Sequence, residues 1–194
     1  MKKNDLNIDD LTGIIISHDD IDHLGGLYEI KEAYPRVKVY TSSIEAPYVS
    51  GEKKSLRLQQ SEDLFETVPT EYRTWALEFQ NSLKAIRRIP VDHTVDVDTA
   101  YAENINIVHT PGHTPGHISI YIPSMKTLIA NDALVIENGA LEIANPQYTL
   151  DIKQAIASIR KLSLLEIDTM YCYHGGVVVD QIPHKIEKLL NKYR

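Results

Sequence analysis

The stretch Ile14-Ile15-Ile16-Ser17-His18-Asp19-Asp20-Ile21-Asp22-His23 decides how the rest of the chain is interpreted, because a polar cluster directly follows an apolar run. The β-branched run predicts a buried strand over 14–16. In an extended segment, residues two apart face the same side, so His18 and Asp20 can face one metal ion. Asp22 and His23 lead into a helix and can face a second ion. Imidazole and carboxylate ligands suit zinc, manganese or iron. A solvated acidic loop is the alternative for this stretch alone.

The composition predicts one globular domain. The chain has 194 residues, of which 43% are hydrophobic, and this is enough for a sizeable core. A net charge of -7 without a dense basic stretch argues against a nucleic-acid partner. The single cysteine, Cys172, cannot form an intrachain disulfide and suits a reducing compartment. No signal peptide or membrane span is indicated, so we expect a cytoplasmic protein with no membrane partner.

Strand and helix patterns alternate along the chain, which predicts an α/β architecture. Strands are predicted over residues 37–40, 105–108, 118–122, 127–130 and 169–173, and helices over 24–34, from Asp151 and from Pro183. Asn138-Gly139 predicts a two-residue hairpin turn. An amphipathic helix is predicted between residues 70 and 88 from helical spacing of Tyr72, Trp75, Phe79, Leu83 and Ile86. We expect this face to pack in the core; a lid that presents Trp75 to a substrate is the alternative.

Three further candidate ligands also follow predicted strands. His113 lies in a turn-rich loop, Thr110-Pro111-Gly112-His113-Thr114-Pro115-Gly116-His117, after the 105–108 strand. Asp132 follows the 127–130 strand, and His174 follows the 169–173 strand and precedes two glycines. Each residue alone has an ordinary structural explanation in a turn or cap. Their joint occurrence at strand ends favours a metal site.

In this order and context, the residues resemble the H-x-H-x-D-H, T-P-G-H-T-P-G, strand-end aspartate and His-Gly motifs of the metallo-β-lactamase superfamily. The resemblance covers nearly the whole chain. It implies a four-layer αββα sandwich as a single domain over 1–194, with 45–100 as a lid or an insertion. It also implies two divalent metal ions, zinc being expected and manganese or iron being alternatives. The implied ligands are His18, Asp20 and His113 for the first ion, Asp22, His23 and His174 for the second, and Asp132 bridging both.

Two departures from the family pattern stand out. Asp20 occupies the place of the second motif histidine, so the three aspartates leave a dinuclear site less positive than the usual one, with weaker Lewis acids and harder ions favoured. We expect Asp20 still to be a ligand; loss of the first metal is the alternative. The motif also comes early, so we expect an N-terminally shortened sandwich whose uncovered sheet favours a homodimer.

The resemblance implies a hydrolase that acts on a small-molecule ester, lactone or thioester, with Asp22 and Asp132 as candidate catalytic residues. His109 and His117 are expected to orient the ligand loop. Asp132 stands where the zinc β-lactamases carry cysteine, which disfavours β-lactam hydrolysis, and the tyrosine expected in acyl-homoserine lactonases is missing after it. A catalytically impaired, truncated relic that binds metal or a protein partner is the alternative function.

Overall fold

The computed structural model describes residues 7–145 and 147–194. The chain forms two compact units, Met1–Thr94 and Val95–Arg194. Within the described residues, no helix combines the length and apolar character needed to cross a membrane. The prediction of a single domain with a lid or an insertion over 45–100 stays a prediction.

The first unit is organised around the strand that precedes the acidic cluster. Strand β1 (Gly13–Ile15) pairs in parallel with β2 (Lys38–Ser42), with Ile14 opposite Val39, and the sheet order is β1-β2-β3, with β3 at His93–Val95. The helices of this part of the chain are α1 (Ile21–Leu24), α2 (Leu27–Ala33), α3 (Ala46–Val49), α4 (Leu56–Asp63) and α5 (Arg73–Lys84). The core cluster is apolar and consists of Ile16, Leu24, Leu27, Val39, Val49 and Ile89.

The second unit carries a six-stranded sheet in the order β11-β10-β7-β6-β5-β4. Its strands are β4 (Thr99–Ala102), β5 (Ile105–His109), β6 (Ile118–Ile122), β7 (Thr127–Asn131), β10 (Thr169–Cys172) and β11 (Gly176–Val178). β10 runs parallel to β7, whereas the other neighbours in this sheet are antiparallel. The carboxyl ends of β7 and β10 therefore lie at the same edge, which brings the residues that follow them together.

The Asn138-Gly139 hairpin was predicted correctly. Strands β8 (Val135–Glu137) and β9 (Ala140–Glu142) pair antiparallel around a turn in which Asn138 has φ 50° and Gly139 has φ 76°. Positive φ at both central residues is what the favoured two-residue hairpin turn needs, and Asn and Gly tolerate it best. This local preference explains why the sequence alone located the turn.

Two helices close the second unit's core. Helix α6 (Ile152–Leu162) begins at Asp151, whose side chain accepts a hydrogen bond from the Gln154 backbone N–H at 3.0 Å, as the capping pattern predicts. Helix α7 (Ile182–Asn191) is amphipathic in the same way. Their inward residues join Leu128 and Met170 of the sheet in one core cluster; these residues are Ala155, Ile159, Leu162, Ile182, Ile186, Leu189 and Leu190.

The predicted core packing of α5 was wrong for Trp75. The helix packs against α4 and buries Ala76, Gln80 and Leu83, whereas Trp75 is 53% exposed and stacks on Phe79 with ring centroids 5.6 Å apart. The packing surface needs a small residue and a polar one, because the Gln80 side-chain amide donates to the Ser61 carbonyl of α4. Hydrophobic periodicity therefore selected a face one position away from the buried one.

Candidate metal centre

The first half of the candidate site lies in the loop after β1 and in α1. His18 is fully buried, and its Nε2 lies 3.6 Å from Oδ2 of Asp20. The Nε2 of His23 lies 3.7 Å from Oδ2 of Asp22, and the His18 and His23 ring centroids are 4.1 Å apart. The structure therefore brings together all four of the candidate ligands predicted in this stretch.

The second half is built from the ends of β5, β7 and β10. Nε2 of His113 and Nε2 of His174 each lie 3.6 Å from Oδ2 of Asp132. His113 and Asp132 are buried, whereas the His174 side chain is 56% exposed. This half therefore has a buried carboxylate flanked by one buried and one solvent-facing imidazole.

The separations between these atoms fit a metal ion better than direct hydrogen bonds. An N–H···O hydrogen bond spans about 2.7 to 3.2 Å between heavy atoms. Two nitrogen or oxygen ligands of one tetrahedral zinc, each about 2.0 to 2.2 Å from the ion, lie roughly 3.3 to 3.6 Å apart. The four His–Asp separations of 3.6 to 3.7 Å are close to that second range. All seven candidate ligands belong to groups of histidine and aspartate side chains that could hold a metal ion.

Serine and threonine hydroxyls contact the histidine rings of both halves. The Ser17 hydroxyl lies 2.9 Å from Nδ1 of His18 and 3.2 Å from Nδ1 of His23. In the second unit, the Thr110 hydroxyl lies 2.8 Å from Nδ1 of His117. Contacts of this kind fix ring orientation, as the outer partners of metal ligands do.

His117 acts through the backbone of a candidate ligand. Its ring is buried, and its Nε2 accepts a hydrogen bond from the Asp132 backbone N–H at 3.2 Å. His109 instead pairs its Nε2 with the Pro115 carbonyl at 2.9 Å, across the ligand loop. These contacts are the kind expected of histidines that orient the ligand loop, and that role stays a prediction.

A close backbone approach holds the loop that carries His113. Gly112 has φ 137°, and a Cβ placed on it would lie 2.3 Å from the backbone nitrogen of Ala155 in α6. The Gly112 carbonyl accepts from the Asp151 N–H at 2.9 Å, and the His113 carbonyl accepts from the Leu150 N–H at 3.2 Å. The start of α6 therefore fixes the backbone of a candidate ligand.

Sequence reasoning missed two arginines beside the first half. Arg57 in α4 is only 4% exposed and forms a forked ion pair with Asp20: its Nη2 lies 2.7 Å from Oδ2, and its Nε lies 3.1 Å from Oδ1. Arg88 pairs with buried Asp19, Nη2 to Oδ2, at 3.4 Å. Burial and the neighbouring Asp20 raise the pKa of Asp19, which Arg88 opposes. Two adjacent aspartates directly after a buried strand indicate that cationic side chains must lie nearby, because buried charges need partners. The sequence does not indicate which arginine or lysine fills that role.

The comparisons with known proteins identify the class. The family model described as the metallo-beta-lactamase superfamily matches residues 1–174, so the chain belongs to that superfamily. Among its relatives is the Probable metallo-hydrolase YflN of Bacillus subtilis (strain 168), 29% identical in an alignment 178 positions long that covers 85% of this chain and 64% of that protein. Hydroxyacylglutathione hydrolase of Synechococcus sp. (strain JA-2-3B'a(2-13)) is 24% identical over 167 residues, which are 85% of this chain and 50% of that protein.

A solved structure shares the fold. The metallo-beta-lactamase family protein TTHA1429 from Thermus thermophilus superimposes with a TM-score of 0.70 at 20% sequence identity, over 99% of this chain and 64% of that one. The similarity confirms the predicted metallo-β-lactamase fold class. The chain spans between half and about two thirds of the length of these three proteins.

Proposed function

We propose that this protein is a metal-dependent hydrolase that uses two divalent ions to cleave a small-molecule ester, lactone or thioester. The observation that carries the proposal is the set of four His–Asp pairs whose ligand atoms lie 3.6 to 3.7 Å apart, at the positions of the superfamily motifs. Membership of the superfamily supports it.

The proposed centre is the dinuclear one that the superfamily motifs imply. By those motifs, His18, Asp20 and His113 would hold the first ion, Asp22, His23 and His174 would hold the second, and Asp132 would be shared between them. The pairing of Asp132 with two imidazoles through a single oxygen supports a bridging role within its own unit. Zinc is the expected metal because the set combines imidazole with carboxylate; manganese and iron accept the same donors.

The chemistry supplied by bound divalent ions would be Lewis acidity and a water nucleophile available near neutral pH. The protein's own carboxylates differ in how they can help. Asp132 is 4% exposed, so its role would be to hold the ions in place and not to exchange protons with solvent. The Asp22 side chain is 37% exposed and lies beside His23, so it can take a proton from a reacting group and pass it to solvent.

The proposed substrate class is supported by the named activities of relatives. One is named a hydroxyacylglutathione hydrolase, and another is named a probable metallo-hydrolase. Positively charged surface of the kind that binds a nucleic-acid backbone is not expected at a net charge of -7. A small acyl compound is therefore the first class to screen.

The experiment combines metal analysis with a substrate screen. Elemental analysis should find two divalent ions per chain, and a panel of ester, lactone and thioester substrates should reveal turnover. His113→Ala and Asp22→Ala should each lower kcat/KM by more than about 100-fold, because loss of an outer partner of a ligand alone costs about 10- to 100-fold. His184→Ala, at an exposed position in α7, is the matched control and should keep full activity.

The outcomes separate the proposal from its alternative. Unchanged activity in either ligand variant would refute the assigned mechanism. Two bound ions without turnover on any substrate of the panel would favour the relic that binds metal or a partner.

A further inference from the structure

The side chain of Asp20 accepts hydrogen bonds from Arg57 and does not cap its own helix. Asp20 is the N-cap residue of α1, where an aspartate ordinarily accepts a backbone N–H, yet its side chain makes no capping hydrogen bond. Both of its carboxylate oxygens instead contact the Arg57 guanidinium, at 2.7 to 3.3 Å. A forked pair of this kind is the strongest hydrogen-bonded geometry available to arginine and carboxylate.

Arg57 occupies a position that is unfavourable unless it is paired. Across residues 7–145 and 147–194, Arg57 is buried and every other lysine and arginine is at least partly exposed. It also lies at the second residue of α4, where the helix dipole repels positive charge. Burial of an arginine is rare without a partner. Arg57 is held at this position despite both unfavourable effects, and the interaction that offsets them is its ion pair with Asp20.

We infer that Arg57 is a positioning residue that supplies the counter-charge of Asp20, so that the pair presents a metal ion with one ligand atom and no net charge. The neutral histidine of the superfamily motif presents the same combination. The inference rests on the proposed metal centre, in which Asp20 is a ligand. When the charge of Arg57 is included, the dinuclear site is as positive as a site built on the usual motif. The Lewis acidity of ions bound there would then match that of the usual site.

The geometry allows Asp20 to pair with Arg57 and to bind a metal ion at the same time. An ionised carboxylate offers about four acceptor sites, of which the arginine fork takes two. The Oδ2 atom that contacts Arg57 also lies 3.6 Å from Nε2 of His18, the separation expected of two ligands of one ion. Arg57 in turn donates through Nη1 to Gln60 one turn later in α4, which fixes the plane of the guanidinium.

The variant that restores the histidine of the family motif should bind zinc less tightly than the wild-type protein does. Asp20→His alone leaves the buried Arg57 cation beside a dication, so its zinc affinity should fall by at least about tenfold relative to wild type. The paired replacement Asp20→His with Arg57→Met should recover most of that loss, because neither charge remains. Asp20→Asn, which keeps the shape of aspartate, should lose affinity in the same way and serves if the histidine variant folds poorly.

The test measures zinc affinity by competition with a chromophoric chelator, ions per chain by elemental analysis, and urea unfolding of each metal-free protein in EDTA. In the metal-free proteins, each single change should lower the urea midpoint, and the paired change should lower it by less than the sum of the two. Arg57→Lys is the control that keeps the charge without the fork, and it should bind zinc more tightly than Asp20→His.

Two results would overturn the inference: wild-type zinc affinity in Asp20→His, or additive shifts of the urea midpoint in the paired variant. A wild-type protein that binds no metal would instead refute the proposed function. The unfolding cycle would still decide whether Arg57 compensates Asp20, because it needs no metal.

Discussion

Gly112→Ala tests whether the start of α6 fixes the loop that carries His113. The added methyl would lie 2.3 Å from the Ala155 nitrogen and 2.5 Å from its Cα, both backbone atoms that cannot rotate away. The backbone of residue 112, at φ 137°, is also one that alanine rarely adopts. The methyl therefore has to displace either the loop or the first turn of α6.

The magnitude follows from two costs. A non-glycine residue held in a sparsely populated backbone region costs of order 1 to 3 kcal/mol. Overpacking of a well-packed site costs about 1 to 3 kcal/mol more. The sum of about 2 to 6 kcal/mol is a large part of the roughly 5 to 15 kcal/mol by which such proteins are stable. Movement of the loop would also strain the hydrogen bonds from Asp151 and Leu150 to the Gly112 and His113 carbonyls.

The assay is urea unfolding followed by far-UV circular dichroism in EDTA, so that metal does not contribute. Gly139→Ala in the β8–β9 turn is the control, since its φ is 76° but no atom lies within 4 Å of the added methyl. It incurs only the backbone cost, about 1 to 2 kcal/mol. Equal destabilisation of the two variants, or a change below about 1 kcal/mol for Gly112→Ala, would refute the reasoning.

Two further predictions concern stability in each unit. The Lys31 ammonium and the Val39 N–H hold the pKa of Asp92 well below its ordinary value of 3.8, so its stabilising effect is complete above that value and is lost as pH falls through the lowered pKa. Asp92→Asn should therefore lower the free energy of unfolding by about 1 to 3 kcal/mol at pH 7 and by progressively less below pH 3.8, as measured by urea unfolding across pH. A difference between the two proteins that does not change with pH would contradict this. Leu128→Ala, at a fully buried position in β7, should cost about 2 to 5 kcal/mol in the same assay, whereas Leu164→Ala, at a position 84% exposed, should change stability by less than about 0.5 kcal/mol; similar losses in both would contradict it.

The parts of the site that sequence predicts are those set by local rules. His18, Asp132 and His174 follow strands, and strand ends can be located from apolar runs and the turn residues that bound them. The Asn138-Gly139 turn and the Asp151 cap are equally local, because each depends on the backbone preferences of two to four adjacent residues. These features were therefore predicted within a residue or two.

The parts that sequence did not predict depend on tertiary contacts. Arg57 lies 37 positions after Asp20 in a segment without clear periodicity, and no local pattern distinguishes it from a surface arginine. The buried face of α5 was likewise set by the backbone of α4, to which Gln80 hydrogen-bonds, and Trp75 was left in solvent. Charge pairing and side-chain to backbone contacts between elements have no signature in spacing alone.

The Ser17 hydroxyl links the proton positions of two imidazole rings. For Nε2 of His18 and of His23 to be available as ligands, the Nδ1 atom of each ring has to carry the proton. Both N–H groups can then donate to the two lone pairs of the one Ser17 oxygen, which lies 2.9 and 3.2 Å away. If the Ser17 hydrogen instead pointed at either ring, it would force that ring into the opposite tautomer. A single oxygen atom, acting only as an acceptor, can therefore set the tautomers of two neighbouring rings together.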